Sequence, residues 1–323
     1  RDRGETLPAA AEPLDLSHER FVDANLAGLD LTGANLTGTE MLGCDFTGSR
    51  MVAVNLSGAL LHNVDLTNVE LLGANVSGAD FTNGKLDRAG FGQVAGQGAV
   101  FFGAQCSQAT FSGSDLTGAD FRAARLEDSR MLNTELTDAV FSAACLAGID
   151  LTGASVAGAN FRDANLNGAQ LRGISEYHSA DWINADIRDV DFNGAWLVRR
   201  HIQDENYIHE FRSQSKTHER LYQVWSITSD CGRSLSRWSL WTVLVAIIYA
   251  GLYTMVDIDW GDHETPLSPV YYSVVTFTTL GYGDVLPGSV GAQILAMSEV
   301  VLGYFSLGGM MSILSDKMAR RAG

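Results

Sequence analysis

The sequence predicts two joined folds: a square-coiled β-solenoid over about the first two-thirds, then an α-helical membrane unit built around a short re-entrant segment. Three observations predict this. An apolar residue recurs at every fifth position from Phe21 to Leu171. Residues 238–316 contain no Lys or Arg, although charge is scattered through everything before them. Between the two long apolar stretches of that charge-poor region lies the run Thr278-Thr279-Leu280-Gly281-Tyr282-Gly283-Asp284. The expected organisation is a disordered start over 1–13, the solenoid over 14–198, a basic linker with an amphipathic helix over 199–237, the membrane unit over 238–316 and a basic tail over 317–323. The start is polar, without the apolar core of a secretory signal, and the missing initiator Met points to a trimmed chain.

The solenoid follows from its period. The apolar residues run Phe21, Leu26, Leu31, Leu36, Met41, Phe46, Met51, Leu56 and onward, each preceded at two positions by a small or compact residue such as Ala24, Ala34, Cys44 or Val54. Gly, Asn or Asp often follows two positions after. Five matches neither a helix nor a flat strand, and a fixed period is the signature of a repeat coil. Each pentapeptide makes one side, with the large residue pointing inward and the small one sharing the interior. Four sides give a turn of about twenty residues, and roughly nine turns stacked about 4.8 Å apart give a rod of about 40 Å.

The Ala-(Asp/Asn)-Leu units Ala24-Asn25-Leu26, Ala34-Asn35-Leu36, Ala79-Asp80-Phe81 and Ala164-Asn165-Leu166 resemble the pentapeptide-repeat family. That resemblance implies a right-handed quadrilateral β-helix. Two departures stand out. Gly96 breaks the apolar register inside the Gly-rich stretch Arg88 to Gly98, where a loosened or bulged turn is expected. The register also slips by one residue near Ile174 to Tyr177, then resumes at Trp182, Ile187, Phe192 and Leu197. His18, His62 and His178 lie far apart in sequence and read as surface residues. Solenoid faces are binding surfaces more than catalytic clefts, and no nucleophile–base–orienter set occurs, so no enzyme is expected. Cys44, Cys106, Cys145 and Cys231 show neither CxxC pairing nor His partners, which suits reduced structural thiols in a cytosolic setting.

After the repeats, Arg199, Arg200, Arg212, Lys216, Arg220, Arg233 and Arg237 crowd a segment in which Leu221, Tyr222 and Trp225 have helical spacing. This reads either as a helix lying on the inner membrane surface or as a solvated connector. Asp230-Cys231-Gly232-Arg233 reads as a turn. Trp238 to Val256 and Val290 to Leu314 are each long enough to cross about 30 Å of hydrocarbon. Basic residues precede the first and follow the second (Lys317, Arg320, Arg321), which puts both ends in the cytoplasm. The connecting loop with Asp257, Asp259, Asp262 and Glu264 then faces out. Pro266-Leu267-Ser268-Pro269 opens a segment too short to span, tolerated at membrane depth only where protein or water surrounds it.

A Thr-X-Gly-Tyr-Gly run offers consecutive carbonyls that can replace the water around a dehydrated potassium ion, its alternate glycines tolerating the φ/ψ values needed. The order span, short helix, Thr-X-Gly-Tyr-Gly, span over Arg237 to Leu314 resembles the two-transmembrane potassium-channel pore family. By that resemblance the Thr279 side chain and the backbone of Thr279, Leu280, Gly281, Tyr282 and Gly283 form the K+ sites, with Leu280 where Val or Ile is usual. Thr278, Asp284 and the aromatic pair Tyr271 and Tyr272 support them. Val275 stands where some members have an acid, which removes a carboxyl pair with Asp284. Gly303 matches the hinge glycine of the inner helix, or else serves close helix packing. Gly308, Glu299 and Met310 are the other gating candidates, Glu299 being either a gating or inter-subunit contact or a buried protonated group without a role. Four chains are needed around one axis, so a homotetramer follows from the resemblance, with no Arg-rich voltage sensor.

The expected function is thus a homotetrameric potassium-selective channel of the cell membrane. K+ is the permeant ion, no organic cofactor is needed, and the partners are membrane lipid and a cytoplasmic protein bound by the rod. A net charge of −16 argues against nucleic acid as a partner. The rival is a membrane-anchored repeat module that binds partners as a DNA mimic or scaffold. Arg20, Arg50, Arg125 and Arg130 interrupt any acidic line along the rod.

Overall fold

The structure, a computed structural model, describes residues 13–261 and 264–322. The expected disorder over 1–13 therefore falls almost wholly outside the described residues, as does Asp262 of the acidic loop. The chain divides into two compact units, Arg1–His209 and Glu210–Gly323.

In the first unit every fifth residue forms a parallel bridge to the residue twenty further on, from Asp15↔Asn35 through Ser155↔Ser175. Only β1 (Arg20–Val22) and β2 (Glu40–Leu42) extend such a bridge into a short parallel pair, with Phe21 opposite Met41. The side Phe81 to Lys85 shows why the pattern works. The Phe81 and Asn83 amides donate forward to Val100 O (2.7 Å) and Phe102 O (2.9 Å), Lys85 donates back to Val64 O (2.8 Å), and Gly84 closes a turn on Phe81 O (2.9 Å). The fifth amide, Thr82, donates to the Asp80 carboxylate at 2.9 Å. All five donors of the side are satisfied, which explains the Asp or Asn of the repeat. The residue two after the apolar one sits in the left-handed region (Gly33 φ 70°, Asn83 φ 57°, Asp138 φ 56°), which explains the Gly, Asn and Asp there.

The interior is a column of side chains. Phe81, Phe101, Phe121, Phe141, Phe161 and Trp182 stack in sequence with centroids 4.3–5.0 Å apart, the spacing of the coils themselves. Phe91 and Phe111 form a second stack at 5.0 Å, edge-on to the first. Two buried hydroxyls bond backbone, Ser114 donating to Phe91 O at 2.7 Å and Thr134 to Phe111 O at 3.1 Å, whereas those of Ser49 and Ser129 have no partner among the described residues. Cys44 and Cys106 lie in the same interior, and burial pushes the Cys106 thiol up, out of reach of ordinary thiolate chemistry.

The expected bulge at Gly96 is absent. Ala95 keeps its bridges to Asn75 and Asp115, and the Leu116 and Val76 side chains of the adjoining coils lie 2.8 and 3.2 Å from where a Gly96 Cβ would stand. Neighbours twenty residues away fill the space that the five-residue pattern leaves empty. The slip after Leu171 is absorbed by a single turn of 3-10 helix, Tyr177–Ser179, entered through Glu176 at φ 56°. Beyond it the bridges are offset by twenty-one residues (Asn160↔Asp181, Gln170↔Asp191), and Trp182 rejoins the stack.

Helix α1 (Trp196–Ser213) begins inside the segment expected to end the coil, and its first turns close the coil end. Val198 and Ile202, one turn apart, are buried in the same core as the repeats. Asn206 donates to Trp182 O at 3.1 Å and accepts the Asn184 amide at 2.7 Å. Solenoids need such an end cap because the last coil has no successor to bury it.

The second unit contains α2 (Lys216–Ser229), α3 (Leu235–Tyr253), α4 (Ser268–Phe277) and α5 (Val290–Ala322), with the two-residue strands β3 (Ile258–Asp259) and β4 (Leu286–Pro287) paired antiparallel. Ser215 caps α2 by accepting the His218 amide, and Ser234 caps α3 by accepting the Arg237 amide at 3.2 Å. Asp230, Cys231 and Gly232, all left-handed, reverse the chain between them. Leu235–Tyr253 and Val290–Ser315 are long and apolar enough to cross a membrane. Only 6% and 11% of their apolar windows are buried, unlike the core helices of a soluble protein.

Two outcomes follow for the first unit. In residues 13–209, Phe121→Ala, which removes a fully buried ring stacked on both sides, should cost about 3–5 kcal/mol in guanidinium unfolding, whereas Phe102→Ala at the surface should cost under about 1. Hydrogen bonds from Thr32 and from Thr47 hold the Asp30 and Asp45 carboxyls below their ordinary values. A carboxyl depressed in the folded state stabilises above its unfolded pKa, and that contribution is lost as pH falls through the folded value. The melting temperature should therefore be flat from about pH 7 to 5 and fall below about pH 4.

Candidate functional site: the carbonyl run after helix α4

Helix α4 begins with Pro269 in its first turn, where a missing N–H costs nothing. At its other end Thr278 ties itself back, its amide and its hydroxyl both bonding Val274 O (3.0 and 2.6 Å). The Thr279 and Leu280 amides still donate to Thr276 O and Val275 O, both at 3.0 Å. From there the backbone alternates. Thr279 (φ 58°), Gly281 (φ 52°) and Gly283 (φ 78°) are left-handed, while Leu280 and Tyr282 between them are not. Alternation of this kind turns successive carbonyls toward one side, and for a β-branched residue such as Thr279 it is strained.

Among the described residues no N–H or hydroxyl donates to the carbonyl oxygens of Thr279, Leu280, Gly281 or Tyr282. Leu280 and Tyr282 are themselves exposed, at 59% and 67%. A row of exposed, unpaired carbonyls is a hard-oxygen surface suited to a dehydrated monovalent cation. No group of three or more His, Cys, Asp or Glu that would hold a metal occurs among the described residues.

The predicted supporting residues divide. The Tyr271 hydroxyl donates to Asp284 Oδ2 at 2.7 Å, fixing the carboxylate just past the run. Tyr272 points the other way, into a small core, its ring 4.7 Å from Tyr253 and 6.2 Å from Trp260. The segment after Asp284 is held by the β3–β4 pair and by the Gly288 amide, which donates to Asp257 O at 3.0 Å. Asp284 O itself lies 2.8 Å from the position a Gly261 Cβ would take.

On α5, Gly303 packs against the Phe277 carbonyl so closely that any Cβ would overlap it. A side chain at this position would push α4 and α5 apart. Gly308 has open space at its Cβ position. Its neighbour Gly309 lies under the Trp238 ring of α3, whose Nε1–H donates to Ser306 O at 2.8 Å. Met310 is turned toward α3, its sulfur 3.9 Å from the Ser239 hydroxyl. Glu299 is fully buried. The Tyr253 hydroxyl donates to its Oε2 at 2.6 Å, and its Oε1 bonds the Ser273 hydroxyl.

The sequence marks Trp238 only as the start of the first span and gives Tyr253 and Ser273 no role. The available signal was Glu299 itself, since a lone acid in an apolar span requires hydroxyl partners on the facing helices.

Comparison with known proteins fits this division. The ion-channel family matches residues 240–320, and the pentapeptide-repeat family matches eight copies over 20–58, 52–83, 104–142 and 144–175. "Two pore potassium channel b" of Oryza sativa subsp. japonica is 35% identical over 83 residues, 24% of this chain and 24% of that protein. "Two-pore potassium channel 1" of Arabidopsis thaliana is 28% identical over 95 residues, 29% of this chain and 26% of that protein. The chain thus spans about a quarter of the length of these relatives. Among solved structures, HetL, a pentapeptide-repeat protein of Nostoc sp. strain PCC 7120, aligns at 26% identity and a TM-score of 0.26 over 56% of this chain and 88% of its own. The chain carries pentapeptide repeats in its N-terminal part and an ion-channel domain at residues 240–320.

Proposed function

We propose that this protein is a homotetrameric, potassium-selective channel whose ion sites are the carbonyls of Thr279, Leu280, Gly281 and Tyr282. The observation that carries the reading is the left-handed alternation at Thr279, Gly281 and Gly283 together with the unpaired carbonyls between two apolar helices. Four copies around one axis give each ion a cage of eight carbonyls, in place of its hydration shell. In this reading α4 is a re-entrant pore helix, its negative C-terminal end favouring a cation at the axis. The Asp284 carboxylates, fixed by Tyr271, ring the outer mouth. The similarity of residues 240–320 to ion channels, and the potassium channels among the relatives, support the choice of ion.

The repeats form a right-handed quadrilateral β-helix that lies in the cytoplasm with both chain ends, in keeping with basic residues before α3 and after the second span. Its role is to bind a protein partner or to influence assembly and gating.

Purified protein in liposomes should pass K+ at least about tenfold faster than Na+, and Gly281→Ala, which forces a side chain into a left-handed position, should abolish the flux. Equal K+ and Na+ fluxes would refute the assignment. Deleting residues 1–198 should leave the K+ preference intact while changing open probability or the yield of tetramers, read by single-channel recording and by native mass in detergent. A lost K+ preference after that deletion would contradict the division of roles.

A further inference from the structure

Glu299 is a costly side chain: an acid, fully buried, in the middle of a helix apolar enough to cross a membrane. Its surroundings are built to accept it. Tyr253 of α3 donates to one carboxyl oxygen at 2.6 Å, and Ser273 of α4 bonds the other. The Ser273 hydroxyl also lies 2.8 Å from Ala246 O of α3. Three oxygen–oxygen contacts need three hydrogens. Tyr253 and Ser273 have one each, so either Ser273 shares its hydrogen between two acceptors or the carboxyl group supplies the third, a place a glutamine amide can also fill.

The spacing of these contacts matters as much as their chemistry. Ser273 is four residues before Phe277 on α4, and Glu299 is four residues before Gly303 on α5. Glu299 meets Ser273, and Gly303 meets the Phe277 carbonyl. The two helices are therefore keyed together at two points one turn apart, and α3 is tied into the upper of them through Tyr253 and Ala246. Phe277 is the last residue of α4, and the carbonyl run starts two residues later. A shift or roll of α4 would move those carbonyls directly.

We propose that Glu299 is a positioning residue for ion selection: its carboxyl group clasps α4 to α3 and α5 and so sets the place of the Thr279–Tyr282 carbonyls. This rests on the reading of those carbonyls as K+ sites. Glu299 touches no ion itself. Its effect reaches the ion through Ser273 and α4, and selection among similar cations depends on carbonyl positions held within about 0.5 Å.

The test is the reversal potential of the purified full-length protein in planar bilayers, with K+ on one side and Na+ on the other. Reversal potential belongs to each conducting channel and does not depend on how many channels fold. Parent and Glu299→Gln should agree. Glu299→Leu, Ser273→Ala and Tyr253→Phe should each shift toward Na+, with the K+/Na+ permeability ratio falling about fivefold to tenfold. Variants that keep the parent's ratio overturn the proposal. So does a Glu299→Gln channel impaired as far as Glu299→Leu, since charge and not the clasp would then be the requirement. If Glu299→Leu forms no channels, Ser273→Ala and Tyr253→Phe decide by the same readout, each having lost one hydroxyl. A parent with no K+ preference would sink the underlying reading, a result distinct from a selective parent with unaffected variants.

Discussion

Unpaired backbone carbonyls are the constraint on which the second unit depends. Bare carbonyls are costly wherever water is excluded, so a protein leaves a row of them open only if something else will satisfy them. The oxygens of Thr279, Leu280, Gly281 and Tyr282 accept no hydrogen bond among the described residues, and the backbone bearing them is strained at Thr279. Everything around the run restrains it. Thr278 fastens the end of α4, Tyr271 fixes Asp284, the β3–β4 pair holds the exit, and Gly303 lets α5 approach the Phe277 carbonyl. A loop free to relax would find its own hydrogen-bond partners and lose the open row.

The first unit obeys the opposite rule. There the amides of a side such as Phe81 to Lys85 all find partners, through the next coil, a local turn and the Asp side chain before it. Stability comes from repetition of one local solution, with a stack of aromatic rings at the spacing of the coils. Such a unit can lengthen, shorten or take up an extra residue at Tyr177–Ser179 without losing its core. Its core and the helix that closes it draw only on residues of this unit, up to Ile202.

Much of this was legible in the sequence, for reasons that differ between the units. The five-residue period marks the coil because each side repeats the same three demands: a large interior residue, a small one, and a residue tolerant of left-handed φ. Gly96 misled because the pattern records one side at a time, whereas the space at Gly96 is filled by Val76 and Leu116 of adjoining coils. The closing role of α1 was missed as well, since the sequence expectation kept the coil running to residue 198. Ala195, Val198 and Ile202 carry its signal, a switch from a period of five to helical spacing. In the membrane unit the Thr-Leu-Gly-Tyr-Gly run and its apolar flanks were readable from order alone. Which hydroxyls would meet Glu299 was not, because Tyr253 and Ser273 lie 46 and 26 residues away and only the packing of three helices joins them. The inward turn of Tyr272, away from its neighbour Tyr271, has the same origin.

The central claim is that the carbonyls of Thr279 to Tyr282 hold a dehydrated potassium ion between four chains. Diffraction from crystals of the full-length protein grown in rubidium or thallium, both anomalous scatterers of potassium-like size, tests it most directly. The account predicts a line of anomalous peaks on a fourfold axis, level with those carbonyls and lost on exchange into sodium. Peaks elsewhere, or an empty axis lined by carbonyls that bond to protein, would contradict it.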